Sequence, residues 1–328
     1  MAKTMKILVT GAAGFVGFHT TTRLLGAGHE VVGIDNLNAY YDVGLKQGRL
    51  ALLKDRPGFS FTKLDLADRA GMASLFQDHA FDLVLHLGAQ AGVRYSLENP
   101  FAYLDSNLTG MLTVLEGCRH SGVKHLVYAS SSSVYGSNTK LPFATEDRVD
   151  TPVSLYAATK KADELMAHTY AHLYRFPITG LRFFTVYGPW GRPDMAYYKF
   201  ANAIMAGKPI DVYNHGDMRR DFTYIDDIVD AIEAIVAQGP KPSGMDVPHK
   251  VYNLGHNHPE QLLDMIELLE GLLGKQAEKR MLPMQPGDVY ATYADISDIS
   301  RDYGYTTKTS LANGLKQFVS WYRSYHGS

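Results

Sequence analysis

Lys6-Ile7-Leu8-Val9-Thr10-Gly11-Ala12-Ala13-Gly14-Phe15-Val16-Gly17 is the stretch that decides the fold. Its three consecutive apolar residues, Ile7 to Val9, read as a buried strand over 6–10. A helix follows over 14–27, with Phe15, Val16, His19, Arg23 and Leu24 at helical spacing and Gly26 to Gly28 as its stop. The glycines between have separate uses. Gly11 permits a tight turn, Gly14 lets the backbone approach a pyrophosphate, and Gly17 lets helix and strand pack closely. The helix start then offers free N–H groups and its positive dipole end to phosphate. A glycine triplet alone is weak evidence, because glycines kept for packing look the same. A strand before it and a helix after it supply the confirming context.

Working outward, the strand Glu30–Asp35 ends in a carboxylate 18 residues after Gly17. There it can accept both ribose hydroxyls of an adenosine and repel a 2′-phosphate, which favours NAD over NADP. Asp65, at the end of a strand over 59–64, is a candidate for the adenine edge, with a solvated strand-end Asp as the plain alternative. Helical patterns over 43–54, 68–78, 100–120 and 155–174 alternate with strands over 83–87, 125–129 and 178–183. Such alternation implies parallel β-α-β units with right-handed crossovers. The expected fold class is α/β, a Rossmann-type doubly wound parallel sheet over residues 1–184. Residues 185–328 read as a smaller mixed α/β substrate-binding lid, partly interleaved with the sheet. Its pieces are a Gly/Pro-rich loop over 187–193, helices over 195–206, 226–237 and 259–273, a polar loop over 239–249, and strands over 210–212, 221–225 and 250–254.

The 328 residues are 45% apolar and 20% charged, an ordinary globular balance with ample length for a large core. Lys and Arg number 32 against 34 Asp and Glu, a net charge of −2, so no global field favours nucleic acid or an anionic membrane. Any polyanionic ligand must be held by local positive groups. The one cysteine, Cys118, excludes an internal disulfide and a cysteine zinc cluster, and no histidine pair reads as a metal site. The first apolar run is too short for a signal-peptide core and no run reaches the ~18–20 residues of a membrane span. The expectation is a cytoplasmic protein without a metal.

The second strong signal is Tyr156-Ala-Ala-Thr-Lys160. Positions i and i+4 share one helical face. An ammonium beside a phenol favours the phenolate, and a tyrosine so placed can act as a general base. The pair begins a helix that follows the fifth strand, whose end carries Ser130-Ser131-Ser132-Ser133. Strand ends at the carboxyl edge of such a sheet face the ligand crevice, so four hydroxyls are expected there. A Ser-rich turn and a surface Tyr/Lys pair are the plain alternatives.

Taken together, the motifs resemble those of the extended short-chain dehydrogenase/reductases that act on nucleotide sugars, over essentially the whole chain. The resemblance rests on Gly11-x-x-Gly14-x-x-Gly17, Asp35-Asn36, Asp65-Leu66, Leu87-Gly88-Ala89-Gln90-Ala91, Asn107, Ser130 to Gly136, Tyr156-x-x-x-Lys160 and Arg220 to Asp227. It implies Tyr156 as base, Lys160 as its partner on the NAD ribose, and Ser131 as the catalytic hydroxyl. It implies a cofactor site built from Gly11, Ala13, Gly14, Phe15, Val16, Asp35, Asn36 and Asn38 on one side. Asp65, Leu66, Leu87, Gly88, Ala89 and Asn107 complete it. For the UDP-sugar it implies Gln90, Ser132, Ser133, Thr185, Arg192, Val212 and Tyr213, with Arg220 and Asp288 toward the diphosphate and ribose.

Within that group the stretches Asp35 to Asp42, Phe184 to Met195 and Tyr213 to Phe222 are most similar to 4-epimerases of UDP-glucuronate and UDP-galacturonate. Thr185 stands where UDP-galactose 4-epimerases usually have Asn, and Gln285 where they usually have Arg. Alternatives are another UDP-hexose 4-epimerase, a UDP-uronate decarboxylase, or a silent NAD-binding scaffold. A 4,6-dehydratase is disfavoured, because Ser132-Ser133 stand where that group carries Asp-Glu. The helices over 100–120 and 155–174 carry Leu104, Leu108, Leu112, Leu165, Met166 and Leu173. The resemblance implies that these helices pair with their copies in a homodimer; packing on the sheet is the plain alternative.

Overall fold

A computed structural model describes residues 4–242, 246–285 and 289–327. Six strands arise in the first part of the chain: β1 Lys6–Thr10, β2 Glu30–Asp35, β3 Phe59–Lys63, β4 Leu83–His86, β5 His125–Ser131 and β6 Ile178–Phe183. Six more follow: β7 Thr185–Tyr187, β8 Ile210–Val212, β9 Arg219–Tyr224, β10 His249–Leu254, β11 Pro259–Gln261 and β12 Lys279–Met281. The main sheet has seven strands in the order β10-β6-β5-β4-β1-β2-β3, every pairing parallel. β4 and most of β1, β5 and β6 are buried throughout, as a parallel sheet covered on both faces requires.

One apolar layer, with Leu8, Val84 and Leu126, lies under the helices Arg69–Asp78, Gly110–Ser121 and Leu155–Tyr174. The opposite layer, with Ile7, Leu85 and Leu181, takes the helices Phe15–Gly26 and Ile225–Gln238. A third cluster joins the helices Ala196–Met205, Leu262–Leu273 and Leu311–His326. It carries two small sheets, β11-β9-β7 and β12-β8. The sheet changes direction between β1 and β4, the place where ligands bind in such folds. There Thr10 Oγ1 accepts Gly88 N–H at 2.9 Å and meets buried His86 Nδ1 at 2.9 Å. The chain beyond 184 returns to the sheet: β10 pairs with β6 from His249↔Ile178 to Leu254↔Phe183.

Three expectations change. The helix over 100–120 is not continuous, because a π-helical turn over Leu104–Thr109 separates Pro100–Tyr103 from Gly110–Ser121. The wide turn holds Asn107, 1% exposed, whose amide reaches across to Gln90 and Thr159. The expected helix over 259–273 starts with β11, which pairs antiparallel with β9, Glu260 opposite Arg220. β5 runs two residues further than 129, and Ser130 and Ser131 therefore point to opposite faces. Asp288 lies outside the described residues.

Candidate active site

The carboxyl ends of the central strands open into a cleft of about 830 Å³. Its floor is the glycine turn. Gly11 adopts φ +69°, and a Cβ there would come within 2.7 Å of Gly88 Cα. At Gly17 a Cβ would lie 2.1 Å from Gly11 O. These two positions accept no side chain, so the turn and the following helix pack to backbone distance. The helix Phe15–Gly26 begins on Gly14 without a side-chain cap, and Gly14, Phe15 and Val16 line the cleft. Its first-turn N–H groups are therefore available to a diphosphate. The residues present fit a dinucleotide.

At the β2 end of the cleft, Asp35 accepts Leu37 N–H at 2.8 Å and faces Lys46 Nζ at 3.5 Å, both side chains buried. Lys46 also donates to Asn38 Oδ1 at 3.0 Å, and Asn36 donates to Asp65 Oδ2 at 2.8 Å. A helical lysine normally reads as surface, so the sequence marks Lys46 only by its position in the helix that follows Asp35.

At the other end, Tyr156 and Lys160 come from the first turns of Leu155–Tyr174, a helix fixed by Ser154 Oγ accepting Ala157 N–H at 3.1 Å. Both line the cleft. Tyr156 is half-buried, its ring edge-on to Tyr103 with centroids 6.0 Å apart. Lys160 is 2% exposed and donates to Ala129 O at 2.9 Å and to Asp163 Oδ2 at 3.1 Å.

The serine run divides. Ser130 donates its hydroxyl proton to Glu164 at 2.7 Å; Glu164 in turn receives Arg182 Nε at 2.8 Å and NH2 at 2.9 Å. All four expected serines line the cleft, but with Ser130's hydroxyl engaged by Glu164, three hydroxyls remain for a ligand. Ser131 accepts Ser133 N–H at 3.2 Å and Ser133 Oγ–H at 3.0 Å. Its own proton is thus left to donate into the cleft, whereas Ser133's hydroxyl proton is already engaged. Ser132 and Thr185, the latter opening β7, both line the cleft.

Arg192 reaches the cleft with its Nε–NH2 edge on Asp194, whose Oδ2 also accepts Tyr40 OH at 3.0 Å. Its charge is therefore balanced within the protein. The sequence signal for Asp194 is Arg192-Pro193-Asp194, which places opposite charges two residues apart. Tyr213 and Arg220 line the far end, where Arg220 donates to Tyr290 O at 3.1 Å.

Three expected site residues lie behind the cleft. Ala13 is fully buried and its carbonyl accepts buried Arg49 NH1 at 2.8 Å. Val212 is fully buried under the third apolar cluster. Asn107 acts through its neighbours: it accepts Gln90 N–H at 2.8 Å and donates to Thr159 Oγ1 at 3.0 Å. The remaining expected residues, among them Leu66, Leu87, Ala89 and Gln90, line the cleft. Among the described residues no group of His, Cys, Asp and Glu could hold a metal ion, and no helix is long and apolar enough to cross a membrane.

Residues 7–255 match the family described as NAD dependent epimerase/dehydratase. The chain belongs to that family. A probable UDP-glucuronate 4-epimerase of Rhizobium meliloti is 48% identical over 330 residues, 97% of each chain. UDP-glucuronate 4-epimerase 2 of Arabidopsis thaliana is 48% identical over 334 residues, covering 98% of this chain and 76% of that one. Among solved structures, UDP-glucuronic acid 4-epimerase from Bacillus cereus, in complex with UDP-glucuronic acid and NAD, superposes with a TM-score of 0.90. It is 36% identical over 98% of this chain and 100% of that one.

Proposed function

We propose that the protein is an NAD-dependent 4-epimerase that interconverts UDP-glucuronate and UDP-galacturonate. The observation that carries this reading is the company Tyr156 keeps: an anchored lysine, a serine with a free proton, and the short hydroxyls of Ser132 and Thr185 in one cleft. The epimerases named above support the substrate. NAD would be held by the Gly11–Val16 turn, Asp35, Asn36, Asn38 and Asp65, and when bound it accepts and returns a hydride at carbon 4 of the sugar.

The protein's own residues then do the following. Tyr156 removes the proton from the sugar 4-hydroxyl and gives it back. Lys160 keeps a positive charge beside the phenol. Ser131 donates to the same sugar oxygen as its charge changes. Arg220 and Tyr213 hold the UDP, so that the sugar can turn its other face while the nucleotide stays in place. Ser132 and Thr185 hold the uronate carboxylate by charge-assisted hydrogen bonds. That grip matters because a 4-keto uronate is a β-keto acid and loses carbon dioxide unless its carboxylate is held in an unproductive pose.

Purified protein incubated with a panel of UDP-sugars, without added cofactor, decides the reading by NMR of the products. UDP-galacturonate from UDP-glucuronate is expected. A UDP-pentose product, or a preference for UDP-glucose, overturns it. Thr185→Val is expected to weaken UDP-glucuronate binding by about 1.5–3 kcal/mol, the value of a bond to a charged group, while UDP-glucose binding changes much less. Equal losses for both sugars would remove Thr185 from the carboxylate.

The proposed working form is a cytoplasmic homodimer. Leu104 and Leu112 are 39% and 40% exposed, and Leu165 and Leu173 are 56% and 59% exposed on the neighbouring helix. Apolar surface of this kind supports a self-complementary helical interface. Light scattering is expected to give twice the chain mass at micromolar concentration; a monomer refutes the dimer.

A further inference from the structure

Lys160 has three N–H donors, and the protein engages two of them, with Ala129 O at 2.9 Å and Asp163 Oδ2 at 3.1 Å. Both partners are fixed. Ala129 is a strand residue of β5, and Asp163 lies one helical turn beyond Lys160 with its side chain 1% exposed. The third N–H has no partner among the described residues, and Lys160 lines the cleft. Two fixed bonds on a tetrahedral nitrogen leave the third donor one direction.

Asp163 is unusual in its own surroundings. Its second oxygen, Oδ1, is buried without a hydrogen-bond partner. Lys160 is the cation that balances the carboxylate, across 3.1 Å to Oδ2. Glu164 on the same helix is engaged with Arg182 from β6 and Ser130 from β5. Tyr128 from β5 bonds His249, and His86 from β4 faces Lys160 as a neutral ring on Thr10. Burial pushes the Asp163 carboxyl up to about 6 against the pull of Lys160. A half-satisfied buried carboxylate is costly to the fold, so its place beside Lys160 asks for a use.

We propose that Asp163 is a positioning residue for the reaction: it aims the Lys160 ammonium into the cleft and damps the positive field that this ammonium exerts on Tyr156. The proposal rests on the roles of Tyr156 and Lys160 given above and adds a third member behind them. It assigns Asp163 two separable contributions, an acceptor that fixes direction and a charge that sets field strength.

Two variants separate these contributions. Asp163→Ala removes both, and Asp163→Asn keeps an acceptor oxygen and removes the charge. Asp163→Ala is expected to lower kcat by about 10- to 100-fold, as for a misplaced catalytic group, with KM for UDP-glucuronate nearly unchanged. Asp163→Asn is expected to recover most of that rate. Its kcat/KM profile should carry the acid limb at a pH lower by about one unit, because a negative charge beside the base pair is gone.

A readout independent of turnover is NMR of ¹³C-labelled lysine side chains, with the Lys160 signal assigned through Lys160→Arg. The signal should become mobile in Asp163→Ala and stay rigid in Asp163→Asn. Wild-type kcat in a folded Asp163→Ala, or an acid limb that does not move in Asp163→Asn, overturns the proposal. If Asp163→Ala does not fold, the Asn profile alone decides. Wild-type turnover and its loss in Tyr156→Phe test the underlying reading separately. If the wild type epimerises no UDP-sugar, that reading fails, and a Lys160 signal equally rigid in both variants still refutes the positioning.

Discussion

Tyr156→Phe is expected to lose about 10²–10⁴-fold in turnover while keeping its fold and its bound dinucleotide, because it removes the proton acceptor and nothing else. The structure makes this a clean deletion. Tyr156 lines the open cleft, and no hydrogen bond of its phenol oxygen is found among the described residues, so its removal leaves no buried group unpaired. The ring keeps its edge-on contact with Tyr103. Lys160 keeps both of its protein partners, Ala129 and Asp163. Thermal unfolding should therefore match the wild type, and denaturation should still release about one dinucleotide per chain. A variant retaining more than about a tenth of the rate would mean that another group takes the proton. The same measurement separates an enzyme from a silent NAD-binding scaffold, for which no residue would show so large an effect.

Much of this arrangement was legible in the sequence, for identifiable reasons. The strand–glycine turn–helix opening is local: a continuous apolar run, glycines at the required offsets and a helical repeat lie within residues 6–24. The Tyr156/Lys160 spacing is legible because a helix alone brings positions i and i+4 together. What stayed hidden depends on contacts distant in sequence. β7 has only three residues and pairs with β9, so nothing within 185–187 separates it from the loop that follows. The π-turn at Asn107 exists because that amide bridges Gln90 and Thr159, a need that no periodicity records. Lys46 looks like any helical lysine until Asp35 and Asn38 are folded beside it. The serine run reads as four equal hydroxyls, and only the extension of β5 shows that Ser130 belongs to Glu164 and Arg182. Arg192 reads as a free cation, and the fold sets its fork on Asp194.

The protein is expected to become steeply less stable as the pH falls from about 6.5 toward 4, because four buried histidines resist protonation while folded: His19, lowered to about 4 by burial, and three on strands of the main sheet. His86 is lowered from 6.5 to about 3 by burial and by the Lys160 charge, and His125 to about 4 by burial. His249 is also lowered to about 4, by burial first and then by His168. These last three rings stand on β4, β5 and the edge strand β10 and bond neutral partners: Thr10 at 2.9 Å, Thr179 at 2.9 Å and Tyr128 at 3.0 Å.

A folded value below the unfolded one means that the unfolded chain binds more protons in this window. The stabilising contribution is complete above about 6.5 and is lost as pH falls. Each proton is worth roughly 1.4 kcal/mol per pH unit, so four approach about 5 kcal/mol per unit near pH 5. Asp163 opposes them. Its folded value is raised from 3.8 to about 6, so between those values the folded state binds the extra proton and returns about one quarter of the slope. Denaturant unfolding at pH 7, 6 and 5 measures the total. His86→Gln should flatten the slope by about one proton while shifting the value at pH 7 through its Thr10 contact. A slope that His86→Gln leaves untouched would mean that this ring, packed between the glycine turn and Lys160, does not take up its proton on unfolding.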